Sequence, residues 1–174
     1  MAEKCEVLVK SILDQNGCNY QIEKERGQIT FILDNQYNDL FEDCPMYFFV
    51  IVERHKLVVH AILKYKIDGD GQVPVSKLLS RINRDIAASD IGTDLRVELD
   101  VQEGTVNIRY MTLFRKCPEA YEIAAVMSMP LLLMHEFGKW IIAVAYGELS
   151  VEEAYEKIQN MQEESANKAI FDVM

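Results

Sequence analysis

Residues 118–146 read PEAYEIAAVMSMPLLLMHEFGKWIIAVAY and form the longest apolar stretch of the chain. Apolar residues recur at helical spacing on two faces, which leaves a narrow polar stripe of Ser128, His135 and Lys139. The pattern predicts a long, mostly buried helix that covers one face of a sheet. Proline has no N–H, and the ring of Pro130 would clash with the carbonyl of Val126, so we expect a kink or a break between these two residues.

Length and charge limit the classes of protein to consider. A chain of 174 residues with 49% hydrophobic content suits one domain over residues 1–174. A net charge of −10 argues against nucleic acid and against anionic membrane surfaces, because binding phosphate needs clustered Lys and Arg. We therefore expect neither partner.

Three further observations bear on the cellular compartment in which the protein is expected. The first 17 residues lack the basic flank and apolar run of a signal peptide. The longest uncharged run of the long helix is shorter than the roughly 18 residues that a membrane span requires. No two cysteines form a CxxC pair, which favours reduced, structural thiols in a cytoplasmic protein. The four cysteines are Cys5, Cys18, Cys44 and Cys117.

The spacing of apolar residues in the rest of the chain predicts a series of helices and hairpins. A capping box, Ser150-Val151-Glu152-Glu153, predicts the start of the last helix. The acidic end of this helix, from Glu163 onward, is expected to fray. Residues 34–44 and 68–74 are predicted loops, the first with a short helical turn over residues 39–42. The predicted elements are helix Ala2–Asn16, strands Cys18–Glu23, Gln28–Leu33, Pro45–Arg54 and Leu57–Ile67, helix Val75–Ala88, a hairpin over Thr93–Phe114, the long helix and the last helix.

The strongest strand, PMYFFVIVER at residues 45–54, is apolar on both of its faces. Such a strand is typical of the middle of a sheet that is covered on both sides. We expect it to pair with Leu57–Ile67 through a tight connection at Arg54 and His55.

Glu103 and Gly104 have the composition of a hairpin turn, since glycine adopts positive φ at no steric cost. A two-residue loop would place Leu99 opposite Ile108 on the core side and Glu98 opposite Arg109 on the solvent side. The same register pairs Val101 with Val106 and Val97 with Tyr110.

No motif in the sequence carries catalytic or metal chemistry. Asp68-Gly69-Asp70-Gly71 resembles the centre of a calcium loop, but Lys66 and Lys77 fall where carboxylates are needed, so a plain turn is favoured. His135-Glu136 lacks the second histidine of a zinc-protease helix, since position 139 is Lys. We expect His135 on the surface and no catalytic, cofactor or metal site.

The order of elements, with sequential antiparallel pairs and helices grouped apart, indicates an α+β fold with about six strands. Within residues 79–158, the segments LLSRINRDI, DLRVELDVQEGTVNIRY and YGELSVEEAYEKI recur in the order seen in a bacterial family. The chain resembles this YbjN-like family of sensory transduction regulators, with Val151 where proline is common. The resemblance implies a fold like that of type III secretion chaperones, a curved antiparallel sheet with helices on one side. It also implies a dimer that binds extended segments of another protein, and it supplies no catalytic residues.

Three functions remain open at the level of sequence, and the third, a purely structural subunit of a larger complex, cannot be separated from the first by sequence. The first is a non-enzymatic protein-interaction module, chaperone-like or regulatory, with an unidentified protein partner and an unidentified binding surface. The second is a small ligand-binding protein or enzyme with a pocket between the sheet and the long helix, whose polar groups are Tyr47, His60, Tyr65 and Arg109. We also expect a homodimer, formed through a sheet edge or through the helices, because an open sheet leaves two edges that invite pairing and the long helix carries more apolar surface than one sheet face needs.

Overall fold

The structure is a computed structural model that describes residues 2–33, 46–53, 55–63, 65–88 and 94–171, with the side chains of the last helix described as far as Met161. The described residues form four helices and six strands, which follow the predicted order. They are α1 (Ala2–Gln15), β1 (Tyr20–Glu23), β2 (Gln28–Leu33), β3 (Met46–Val52), β4 (Lys56–Leu63), α2 (Gly69–Ala88), β5 (Leu95–Asp100), β6 (Thr105–Leu113), α3 (Ala120–Ala145) and α4 (Val151–Phe171).

All six strands form one antiparallel sheet in the order β1-β2-β3-β4-β6-β5. Helices α1, α2 and α3 pack on one face of this sheet, and α4 packs on α2 and α3. The predicted fold class is therefore confirmed, because the hairpins build an open α+β sheet with helices on one side. The predicted loop at residues 34–44 and the connection through Arg54 lie outside the described residues.

Strand β3 lies third in the sheet, as predicted, but helices cover only one of its faces. Met46, Phe48 and Val50 are buried under the helices, whereas Tyr47 and Phe49 alternate with them toward the other side and are half-buried. Among the residues that the structure describes, no helix lies over the second face, so the expected cover on both faces is not found there. Apolar character on both faces of a strand shows that both avoid water, and it does not identify what covers each face.

The β5–β6 hairpin has a register two residues away from the predicted one. Val97 pairs with Ile108 and Leu99 with Val106, so the loop has four residues, 101–104, instead of two. The carboxylate of Asp100 accepts hydrogen bonds from the backbone N–H groups of Gln102 and Glu103, at 2.9 and 3.1 Å, and stabilises the longer loop. A shift of two residues keeps each side chain on its face, so Glu98 is on the solvent side as expected, but its opposite residue is Asn107.

Strand β4 ends at Leu63, earlier than predicted, and the chain beyond it packs against this loop. The N–H of Ile67 donates to the carbonyl of Gly104 at 2.7 Å. Gly104 has φ +70°, and a Cβ there would lie 2.6 Å from the carbonyl oxygen of Ile67. Only glycine satisfies both conditions, because L-residues disfavour positive φ and have no room here.

Helix α2 starts at Gly69, so most of the predicted 68–74 loop is its first turn and a half. Close to its start the helix approaches α3 closely: a Cβ on Gly71 would lie 2.5 Å from the carbonyl oxygen of Ala145. The glycine that resembles part of a calcium loop thus serves helix packing. This contact between helix ends cannot be recognised from a local pattern.

Helix α3 is continuous from Ala120 to Ala145, so the break predicted at Pro130 is absent. Pro130 itself is buried among the core residues of the helix. Packing on the sheet and on three helices offsets the hydrogen bond that proline cannot make. A kink at Pro130 stays a prediction.

Helix α4 begins with the predicted capping box: the Ser150 N–H donates to the Glu153 carboxylate at 2.8 Å, and the Glu153 N–H donates to the Ser150 hydroxyl at 3.2 Å. The helix continues to Phe171, beyond the point where fraying was expected. Tyr155 anchors it to α2 by donating its hydroxyl proton to the carboxylate of Asp85, at 2.8 Å to the nearer oxygen. Ala154 and Ile158 are buried beside this contact.

Candidate protein-contact surface

The sheet face that points away from the helices carries an apolar stripe. We call this side of the sheet the open face. Cross-strand pairs place its side chains in rows, such as Ile32–Tyr47–Ile62–Asn107 and Thr30–Phe49–His60–Arg109. Large apolar side chains occupy β2, β3, β4 and β6 on this face, and they are Ile32, Tyr47, Phe49, Ile51, Val58, Ile62, Met111 and Leu113.

The stripe has the anatomy of a protein interface. Ile32 is 46% exposed and Leu113 is 66% exposed, although both are large aliphatic residues. The ring centroids of Phe49 and His60 are 6.2 Å apart at the centre of the face. Charged side chains lie mainly on the outer strands, so an apolar centre with aromatic residues is flanked by a polar rim, as in protein–protein interfaces.

Titratable groups meet on the β5 side of the open face. His60 lies opposite Arg109, which in turn lies opposite Arg96 on β5. Burial lowers the pKa of His60 below its ordinary value of 6.5, the charge of Arg109 lowers it further, and Glu98 acts in the opposite direction. Folding therefore favours neutral His60, a form that packs on an apolar surface at less cost than the imidazolium.

The pocket considered from the sequence does not form from the four residues assigned to it. Tyr47, His60 and Arg109 lie on the open face, on the side of the sheet opposite α3. Tyr65 follows β4, and its ring contacts that of Tyr146 edge-on at 6.0 Å. Alternation along each strand separates these groups from the helix side, where buried apolar residues fill the space between the sheet and α3. The predicted polar pocket is therefore not formed by these four residues, and three of them lie on an exposed surface instead.

One edge of the sheet is partly closed by a side chain from α2. The Asn83 amide donates to the Val97 carbonyl at 2.7 Å and accepts from the Val97 N–H at 2.9 Å. Asn83 thus takes the place of a neighbouring strand along edge strand β5, which limits the addition of another chain there. Sequence reasoning missed this role; the available signal was one amide beside the apolar positions Leu79, Ile82 and Ile86 of an otherwise amphipathic helix.

The helical side also exposes apolar residues, on the outer surface of α3. Tyr121 is 72% exposed and Leu132 is 53% exposed, and His135 is exposed one turn after them, as predicted from the polar stripe. We call Tyr121, Ala125, Met129 and Leu132 the α3 ridge. The long helix is therefore less completely buried than its composition suggests.

The described part of the chain also contains free thiols and scattered acidic and histidine side chains. No group of three or more His, Cys, Asp or Glu residues there could hold a metal ion. Cys5, Cys18 and Cys117 are free thiols, and burial raises the pKa of Cys5, with the nearby Cys117 adding to the rise. A raised pKa disfavours the nucleophilic thiolate. Among the same residues, no helix is both long enough and apolar enough to cross a bilayer.

Comparisons with known proteins bear on the fold. No protein-family model matches the sequence, and no curated protein matches it either. The resemblance to the YbjN-like family is therefore not confirmed. The structure is similar to a chain in the crystal structure of the ExsC–ExsE complex, with a TM-score of 0.53 and 17% identity over 76% of this chain and 90% of that one. At this identity the similarity shows a shared fold.

Proposed function

We propose that this protein is a non-enzymatic protein-interaction module, chaperone-like or regulatory, that works by binding another polypeptide chain. The observation that carries the proposal is the apolar surface that the described part of the chain leaves exposed or half-buried, on the open face and on the α3 ridge. Monomeric soluble domains rarely expose contiguous apolar patches of this kind without a binding role.

Two further observations support the proposal. The similar fold belongs to a chain in the crystal structure of the ExsC–ExsE complex, in which one protein is bound to another. The YbjN-like resemblance of residues 79–158 implies a regulatory role and no catalytic residues. We place the protein in the cytoplasm as a single domain over residues 1–174, which its free thiols and acidic surface support.

No observation favours the enzyme or small-ligand alternative. Its polar groups lie on two sides of the sheet, and a catalytic site needs such groups within hydrogen-bond reach of one substrate. The grooves between α2 and β5 and between α3 and α4 do not include these four residues.

Site-specific photo-crosslinking in the native cells tests the proposal. The crosslinker p-benzoyl-phenylalanine replaces Phe49 on the open face or Leu132 on the α3 ridge, and a matched control replaces Glu156 on the exposed polar side of α4. We expect adducts with a second protein at Phe49 or Leu132 and none at Glu156. Adducts at neither apolar position, or equal yields at all three, would show that the uncovered surface does not bind a protein.

A further inference from the structure

A groove lies between the second half of α3 and the first two turns of α4, on the helical side of the molecule. Its volume of about 480 Å³ is within the range of sites that hold a small ligand or an anchoring side chain. Most of its surface is apolar, from Trp140 and Ile142 on α3 and from Leu149 in the turn between the two helices. Lysines from both helices also line it.

These two lysines meet at the only tryptophan of the sequence. The ammonium group of Lys139 lies 4.4 Å from the ring centroid of Trp140, and that of Lys157, on α4, lies 5.5 Å from the same centroid. The two ammonium groups are therefore at most about 10 Å apart. Each gains some cation–π attraction, but like charges this close repel each other. An anion bound between them would relieve this repulsion.

Neither ammonium group has a carboxylate partner among the described side chains. The ion pairs found there involve other residues. Glu153 lies one turn before Lys157 on α4, but its carboxylate accepts hydrogen bonds from the N–H and the hydroxyl of Ser150, at 2.8 and 2.7 Å. Both lysines are thus available to a carboxylate from another molecule.

One acidic side chain, Glu148, lines the groove at the turn between the helices. Glu136 precedes Lys139 by one turn of α3 and Glu156 directly precedes Lys157, but neither is among the described lining residues. The described lining therefore carries a net charge of +1, in a chain of net charge −10. Because the chain as a whole repels an acidic segment, a cationic groove favours the binding of such a segment at this place.

The indole of Trp140 adds a hydrogen-bond donor that is not satisfied. Its Nε1–H is buried and has no acceptor among the described residues. A buried donor without an acceptor is unfavourable. Both ammonium groups lie over this ring on long side chains, so their movement toward a bound anion would admit an oxygen to the donor. A carboxylate or a peptide carbonyl supplies such an oxygen.

We propose that this groove binds a segment of the partner polypeptide in which apolar side chains are flanked by aspartate or glutamate. The inference deepens the proposed function and rests on it, since it names the chemistry of one contact with the partner. The apolar side chains pack against Trp140, Ile142 and Leu149, and a carboxylate lies between the two lysines. A tryptophan at the centre of a contact often supplies a large share of the binding energy.

The shape of the groove favours a polypeptide over a small acid. The groove is open to solvent along its length, so a chain can cross it and continue over the neighbouring surface. Sites for small molecules instead enclose most of the surface of their ligand. A free acid in this groove would remain largely in water, whereas a segment of a bound protein is held there by its other contacts as well.

Fluorescence of Trp140 tests the inference directly, because no other tryptophan contributes to the emission. The probe is the peptide acetyl-Asp-Leu-Phe-Asp-amide, titrated to millimolar concentration into the full chain at low ionic strength. We expect a saturable change in the emission of Trp140. The peptide acetyl-Lys-Leu-Phe-Lys-amide has the same apolar side chains with the opposite charge, and it should cause no saturable change.

Lysine variants establish where the acidic peptide binds. Lys139→Met and Lys157→Met keep an apolar stem of similar length and remove the charge, so each should weaken binding about two- to fivefold and the double variant about tenfold. Lys4→Met, on the exposed side of α1, is the matched control and should leave the affinity unchanged. Circular dichroism confirms that each variant is folded.

The inference is overturned if the acidic peptide leaves the emission of Trp140 unchanged, if the basic peptide binds equally well, or if the double lysine variant binds like the natural chain. Phenylacetate, with one ring and one carboxylate, represents a free acid, and binding as tight as that of the acidic peptide would overturn the choice of a polypeptide. Crosslinked adducts at Phe49 or Leu132 together with an unchanged emission would refute this inference and leave the proposed function standing.

Discussion

Replacing Asn83 with alanine tests whether a side chain from α2 secures the edge of the sheet. The substitution removes the hydrogen bonds of 2.7 and 2.9 Å to the backbone of Val97, a residue only 2% exposed. Since β5 is an edge strand, no other strand can satisfy these two groups. The chain would then contain an unpaired backbone donor and an unpaired acceptor beside a buried residue.

The expected loss in the free energy of unfolding follows from the cost of leaving each of these two backbone groups without a partner. A buried donor or acceptor without a partner costs about 1–3 kcal/mol, and the groove along α2 and β5 gives water some access, so we take the lower half of that range for each group. The expected loss is about 2–4 kcal/mol in the free energy of unfolding. For a domain of this size that corresponds to a decrease in Tm of roughly 4–16 °C.

Urea denaturation followed by circular dichroism measures this loss. Asn160→Ala is the matched control, because Asn160 is exposed on α4 and its replacement should change the free energy of unfolding by less than about 0.5 kcal/mol. Asn83→Asp keeps an acceptor for the Val97 N–H but faces its carbonyl with a second acceptor, so it should also destabilise the fold. Equal stability of Asn83→Ala and Asn160→Ala would refute this account of the edge.

Three further substitutions probe other parts of the fold. Folding lowers the pKa of His60, so the unfolded chain binds a proton on this residue more readily than the folded chain does. The contribution of neutral His60 to the free energy of unfolding therefore keeps its full value above pH 6.5 and decreases as the pH falls from there toward the lower pKa of the folded chain. His60→Gln should therefore show a shallower loss of urea midpoint between pH 7 and pH 5 than the natural chain, and parallel profiles would contradict this. Gly71→Ala should cost about 1–3 kcal/mol in urea denaturation, because its Cβ would lie 2.5 Å from the carbonyl oxygen of Ala145, whereas Gly69→Ala has open space around it and should be nearly neutral. Ser150→Ala should cost about 1 kcal/mol by removing the acceptor for the Glu153 N–H, and a thermal midpoint equal to that of the natural chain would exclude this cap.

Much of the fold is determined by local patterns that a sequence displays directly. Apolar residues at helical spacing define α3, and alternation defines the strands, because side-chain direction repeats every 3.6 residues in a helix and every two in a strand. Caps are equally local: Ser150 and Glu153 interact within one turn, so their spacing alone predicts the start of α4.

Features that depend on contacts between distant segments were decided only by the tertiary structure. The close approach of Gly71 near the start of α2 to Ala145 at the end of α3 is one such feature. The role of Asn83 likewise appears only when α2 lies beside β5. In both cases the two partners are far apart along the chain. The Asp100 contacts of the β5–β6 loop are local by contrast, yet the sequence analysis predicted a two-residue loop there, which was wrong.

The candidate surface combines both kinds of information. The sequence by itself determined that Tyr47, Phe49 and Ile51 form an apolar face of a central strand, because alternation fixes which side chains share a face. Only the tertiary structure decided that all the helices described pack on the opposite side. The tendency of an apolar side chain to avoid water can be recognised from the residue itself. The surface that covers this side chain belongs to a distant segment or to another molecule, so the open face can be recognised only in the folded chain.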